Sequence, residues 1–132
     1  MVSPEQVKSI FQALADGDAP EFFKHVADDV SWTVTGTDNP LSGHYRAKSE
    51  FVPKTFQRLG KLMQGPLALK LVNVLVDGNW AAVELKANAT AKNGADFANE
   101  YCWVCRFEEG KIVQVRAYVD SALVKKVIDE NE

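Results

Sequence analysis

The sequence predicts an α+β fold in which helices cover one face of an antiparallel meander of strands. Three observations carry that expectation. Helix-type spacing of apolar residues is confined to segments ending at Met63 and to a short C-terminal run. Long runs of β-branched and aromatic residues fill most of the chain from Leu67 to Val119. Asp77-Gly78, Asn93-Gly94 and Glu109-Gly110, all hairpin dipeptides, punctuate those runs.

Taken in order, Ser3-Pro4-Glu5-Gln6 starts the first helix: a Ser cap, Pro at the first helical position and Gln three residues after the cap. Val7, Ile10, Phe11 and Leu14 follow as one apolar stripe, and Gly17 ends the helix in the left-handed conformation. Asp18-Ala19-Pro20-Glu21 opens a short second helix with Phe22, Phe23 and Val26 turned inward. Val30 to Gly36, "VSWTVTG", reads as a strand, and Thr37 to Tyr45 as a loop by its Pro, Gly and Asn content. A third helix, Ser49 to Met63, presents Val52, Phe56 and Leu59; with Ser49 as cap, Pro53 falls in the first turn, where an N–H has no helical acceptor. Four β-type runs follow, "LALKLVNVLV", "WAAVELKANATA", "DFANEYCWVCRF" and "KIVQVRAYV", and "SALVKKVID" closes the chain as a helix.

A chain of 132 residues is the size of one ordinary domain, so a single domain over 1–132 is expected. Its 46% apolar and 25% charged residues fit a globular protein and argue against disorder. No apolar run approaches the roughly 20 residues of a membrane-spanning helix. The N-terminus lacks the basic start and apolar stretch of a signal peptide, so a cytoplasmic location and no membrane partner are expected. A net charge of −3 without a basic block argues against nucleic acid.

Both cysteines lie in "YCWVC" with C-x-x-C spacing. In a strand, side chains alternate between faces, so Cys102 and Cys105 point to opposite sides, about 10 Å apart along the strand. A disulfide needs Cα atoms within roughly 7 Å, and a zinc site would need two more ligands when only His25 and His44 remain. Both are therefore expected as packing residues, with no metal or cofactor. The same alternation puts Asn99, Tyr101, Trp103, Cys105 and Phe107 on one face. An aromatic face with polar tips is how small-molecule sites are built, although a core or dimer face would use it too.

Several segments together resemble one superfamily: "ALADGD" (Ala13–Asp18), "ADDVSWTVTG" (Ala27–Gly36), "PLSGHY" (Pro40–Tyr45), "NEY" (Asn99–Tyr101) and "GKIVQVRAYVDSAL" (Gly110–Leu123). Their order and spacing are similar to the SnoaL-like and ketosteroid-isomerase-like branch of the nuclear transport factor two superfamily. The resemblance implies a cystatin-like fold: a strongly curved antiparallel sheet whose helices close a cone-shaped pocket for a small hydrophobic or polycyclic molecule. It also implies isomerase, cyclase or hydrolase chemistry, or a non-catalytic carrier or dimerisation module, because one fold hosts many functions. The three catalytic positions of ketosteroid isomerases fall on Ile10, Val34 and Trp103, so neither the base nor the oxyanion donors of that reaction stand there.

The resemblance places an acid/base carboxylate of SnoaL-type cyclases near Asp120, which also precedes "SALVKKV" as an ordinary helix cap. Ala117 stands where many relatives have Glu. Glu84, amid apolar residues, is an acid/base if it faces the cavity, where burial raises its pKa, and solvated charge if it faces water. His44 either lines the pocket mouth or lies on an exposed loop. Trp32 and Val34 share one strand face and, with Tyr101, Trp103 and Asn99, are expected to line the pocket. The sheet's outer face, with Cys102 and Val104 beside Glu100 and Arg106, is expected to form a homodimer.

Overall fold

A computed structural model describes all residues 1–132. Helices α1 (Pro4–Ala15) and α2 (Ala19–Phe23) precede strands β1 (Val26–Val34) and β2 (Gly43–Tyr45). A helical segment follows, made of α3 (Lys48–Phe51), a π-turn (Val52–Phe56) and α4 (Gln57–Gly60). Then come β3 (Leu69–Asp77), β4 (Trp80–Ala87), β5 (Ala89–Thr90), β6 (Asp96–Phe97), β7 (Glu100–Glu108), β8 (Lys111–Val119) and α5 (Ser121–Asn131).

The start of α1 follows its sequence signals closely. Gln6 N–H donates to Ser3 Oγ at 3.1 Å and Ser3 N–H to Gln6 Oε1 at 2.8 Å, a reciprocal capping box. Val7, Ile10, Phe11 and Leu14 are its buried residues, and Gly17 takes φ +78° beyond its end. Glu109 and Gly110 both have positive φ, 49° and 78°, so the two-residue β7–β8 turn has the backbone twist that tight hairpins require.

Six strands form one sheet in the order β2-β1-β8-β7-β4-β3. Every neighbouring pair is antiparallel except β1 and β8, which run parallel with Trp32 opposite Val115 and Val34 opposite Ala117. The simple meander expected from the hairpin dipeptides thus covers β3, β4, β7 and β8. Strand β1, formed early in the chain, completes the sheet on the far side of β8 through a long crossover. "DFANEYCWVCRF" is broken as well: β6 leaves the main sheet to pair with β5 around Asn93-Gly94, and only β7 continues.

The helix expected over Ser49–Met63 begins at Lys48 instead and ends at Gly60. Its cap is Ala47, which makes no side-chain hydrogen bond, so Ser49 does not serve as the cap. Pro53 then falls inside the helix, and the chain responds by widening: Gln57 N–H donates to Val52 O, five residues back. A π-turn relaxes the clash that a proline ring makes with the carbonyl four residues before it. The buried face consequently runs Phe51, Thr55, Leu59 at a spacing of four, while Val52 and Phe56 are half-buried.

One cluster of 34 buried residues fills the space between the sheet's inner face and the helices. Inward positions of β7 (Tyr101, Trp103, Cys105, Phe107) alternate with outward ones, as period two requires. Cys102 and Cys105 are free and lie on opposite faces, as the strand reading expects.

Candidate functional site

Aromatic side chains of the core cluster on the inner face of the sheet. Trp32 on β1 is fully buried and stacks on Phe51 of α3, with ring centroids 4.0 Å apart and planes 22° apart. Trp103 meets Trp32 edge-on at 5.1 Å, and Tyr101 meets Trp103 edge-on at 6.2 Å. Period two explains the set: Trp32 and Val34 share one face of β1, Tyr101 and Trp103 one face of β7, and Ala117 of β8 sits between them in register.

These residues line a cavity of about 50 Å³. Phe51, Thr55, Phe56 and Leu59 form its helical wall, and Leu67, Leu69, Val119 and Val124 close it from the sheet edge and α5. Asn39 and Leu41, from the loop after β1, complete the rim. The volume is that of one or two water molecules and far below the roughly 300 Å³ of a drug-sized ligand site. The Phe51 ring covers the face of Trp32 on this wall.

The polar chemistry of this cavity is unusual. Four buried side-chain atoms in the whole chain lack a hydrogen-bond partner within the protein: Trp32 Nε1, Asn39 Nδ2, Asn99 Nδ2 and Tyr101 Oη. Three of the four belong to cavity-lining residues. Burial pushes the Tyr101 phenol well above its ordinary range, and the nearby Asn99 amide pulls more weakly the other way without completing a hydrogen bond of good geometry. Tyr101 therefore stays protonated. Thr55 is already committed, its hydroxyl donating to Phe51 O at 2.8 Å. No carboxylate, imidazole, amine or thiol lines the cavity.

Sequence-predicted residues divide clearly. Trp32, Val34, Tyr101, Trp103 and Ala117 come together on the cavity wall. Asn99 does not line it: the residue is fully buried just before β7, where its Oδ1 accepts from Asp120 N–H at 3.2 Å. His44 lies exposed on β2, hydrogen-bonded to Ser31 Oγ at 2.7 Å, away from the mouth. Glu84 points to the outer face of the sheet and accepts from Asn73 Nδ2 at 3.1 Å, so the cavity-facing condition for acid/base work is not met. Asp120 caps α5, accepting from Leu123 N–H at 3.2 Å, and is exposed. Of the three positions matching ketosteroid-isomerase catalysts, Val34 and Trp103 line the cavity, whereas Ile10 borders a separate, open depression.

That depression, about 550 Å³, lies between the start of α1 and the β7–β8 turn and is lined by His25, Glu5 and Glu109 among others. It is larger and more polar, and none of the four residues with unpartnered buried atoms lines it.

Sequence reasoning did not place Asn39, Phe51 or Thr55 at the cavity, nor Leu41, Leu67, Leu69, Val119 and Val124. Asn39 precedes Pro40 in a loop, and its Oδ1 accepts from Leu41 N–H at 2.9 Å, the local turn that Asn-Pro signals. Nothing in the sequence shows that this loop folds inward.

Comparison with known proteins agrees with the geometry. The sequence profile of the SnoaL-like domain matches residues 7–115. The dimerizing cyclase phiC of a fungal strain (ATCC 74256) is 31% identical over 99% of this chain. The chain spans 59% of that curated relative's length. Among solved structures, an NTF2-like protein from Burkholderia thailandensis superposes with TM-score 0.78 at 27% identity, covering 97% of this chain and 98% of that one. A cystatin-like protein of unknown function from Xanthomonas campestris gives TM-score 0.79 at 25% identity over 96% and 98%. No helix is long and apolar enough to cross a membrane. The chain belongs to the SnoaL-like domain family, within the NTF2-like, cystatin-like superfamily.

Proposed function

We propose that residues 1–132 act as one SnoaL-like domain that binds a small, largely apolar molecule in the cone, in support of cyclase- or isomerase-type chemistry. The observation that carries this reading is the coincidence of an aromatic cavity with unpartnered polar atoms on Trp32, Asn39 and Tyr101. A core selected only for packing leaves few buried polar groups unpaired, and three of those here belong to residues that line one cavity. Likeness to a dimerizing cyclase supports the chemical class. The absence of any cavity-lining carboxylate argues against an Asp120- or Glu84-centred mechanism.

Binding requires the cavity to open. The helical segment Lys48–Gly60 is pinned at its ends: Lys48 Nζ donates to Phe23 O and Val26 O, and Arg58 makes a two-pronged pair with Glu132. Its middle is the π-turn, the least regular hydrogen bonding in the segment, which carries Thr55 and Phe56 of the cavity wall and directly follows Phe51. Displacing Phe51 from Trp32 through this turn admits a planar molecule into the stack. The outer sheet face serves a second purpose in this proposal, association of two copies of the chain.

Tetralin, a bicyclic hydrocarbon, is a suitable probe of the apolar site. NMR titration is expected to shift the Trp32 indole N–H resonance saturably. Trp103→Phe, which thins the aromatic wall, should weaken that binding several-fold, and His44→Ala should leave it unchanged. A Trp32 signal that does not respond to tetralin would remove the pocket from the account.

A further inference from the structure

Helix α5 is fastened to the rest of the molecule at its two ends and by one apolar face between them. At its start, Asp120 N–H donates to Oδ1 of the fully buried Asn99 at 3.2 Å, and Asp120 caps the first turn. Val124, Val127 and Ile128 are buried along its inner face, and Val124 lines the cavity. At its far end, Asn131 Oδ1 accepts from Asn93 N–H at 2.8 Å and Glu130 Oε1 from Asn93 Nδ2 at 3.2 Å. Glu132, directly after α5, accepts from Arg58 Nε at 2.8 Å and Nη2 at 2.7 Å. Between these ends α5 makes no hydrogen bond to another element, since the Lys125–Asp129 pair lies within the helix.

We infer that α5 is a strap over the cavity, hinged at Asp120 and latched by the Arg58–Glu132 pair, and that this latch gates entry to the cone. This rests on the reading above that the cone binds a small molecule.

The two ends differ in kind. The hinge bonds to a buried amide and is joined through the chain to β8. Asn93, Glu130 and Glu132 are exposed, so water competes for each contact at the latch, and an opening fluctuation begins there. The ion pair also joins two parts of the cavity wall. Arg58 directly precedes Leu59, and Glu132 follows the helix that carries Val124; Leu59 and Val124 both line the cavity. Releasing the pair frees the end of the Lys48–Gly60 segment that Arg58 pins and lets α5 swing about Asp120, drawing Val124 off the cavity. Burial of Val127 and Ile128 holds the strap down, so the open state is a minority whose size the latch adjusts. Side chains 33% and 44% exposed make that adjustment sensitive to salt.

The test measures the association rate of tetralin by tryptophan fluorescence, and amide hydrogen exchange in α5, on the full chain and on Arg58→Gln and Glu132→Gln. Lys61 and Lys92 line the same surface hollow as Arg58 and Glu132. Glu132→Gln therefore also removes the carboxylate that they could engage once Arg58 is gone. Each substitution is expected to raise the association rate about threefold, the scale of one partly exposed ion pair, and to speed exchange in the last turns of α5 by a similar factor. Exchange in β7 and β8 should not change. The double variant should match Glu132→Gln, because one pair is broken either way. High salt should speed association in the unaltered chain and leave Glu132→Gln as it was. Association at the unaltered rate in both variants, with tetralin still binding, overturns the gate and leaves the pocket intact. Faster association with unchanged α5 exchange overturns the strap, since entry then depends on the Lys48–Gly60 segment alone. If tetralin does not bind the unaltered chain, the pocket reading fails and the gate goes with it.

Discussion

Tyr101 carries a phenol that the fold buries without a hydrogen-bond partner, and Cys105, two positions on along the same inner face, carries a fully buried thiol. Burial pushes the pKa of both groups up from ordinary values of 10.0 and 9.0. The unfolded chain therefore sheds both protons at a lower pH than the folded chain does. Stability from this source is fully present below about pH 9 and falls as pH rises beyond it, because the unfolded state then binds fewer protons than the native one. Thermal unfolding midpoints are expected to be flat in this respect from about pH 7 to 9 and to drop above, less steeply in Tyr101→Phe with Cys105→Ala. Equal slopes in parent and double variant would show that these groups are not the cause. At neutral pH, Tyr101→Phe alone should raise stability by about 1 kcal/mol, since it removes an unsatisfied buried hydroxyl. Individual residues were legible in the sequence where alternation applied: Trp32, Val34, Tyr101 and Trp103 share the inner face that period two assigns them. Asn99 was not, because the strand begins at Glu100 and the Asn99 side chain serves the α5 entrance instead.

At the scale of elements, the strands and the first helix follow local signals, and the departures have identifiable causes. Helix α1 is specified by its own cap and stripe. The segment Lys48–Gly60 is not, because Pro53 shifts the helical period through a π-turn, which exchanged the expected Val52–Phe56–Leu59 stripe for Phe51–Thr55–Leu59. Local spacing at 3.6 residues per turn cannot anticipate that shift. The outer face of the sheet presents a different surface. Leu75 is 62% exposed and Tyr118 45% exposed, and pairing places Ala82 and Val104 in the row beside Leu75, with Cys102 next to Tyr118. Arg116 sits over the Trp80 ring at 5.0 Å in the same layer. An apolar strip with a charged margin suits self-association, so light scattering at micromolar concentration should give the mass of two chains. Leu75→Asp with Tyr118→Asp should return the mass of one. A single-chain mass for the unaltered protein would reject the sheet-mediated dimer.

Across the whole molecule, the main helices and the long strands were readable in order, but β2 inside the expected loop, the separate β5–β6 pair and the sheet's closure were not. The parallel pairing of β1 with β8 joins segments some eighty residues apart, and no local pattern encodes such a partner. That pairing builds the cone, since it brings Trp32 and Val34 against Ala117 and within reach of Trp103. The cavity it bounds is small, about 50 Å³, with Phe51 lying on Trp32, so ligand binding and movement of the Lys48–Gly60 segment are one event in this account. A crystal structure of the chain grown with tetralin tests that most directly. The account predicts the bicyclic ring against Trp32 in place of Phe51. Tetralin seated elsewhere, with Phe51 still stacked on Trp32, would contradict it.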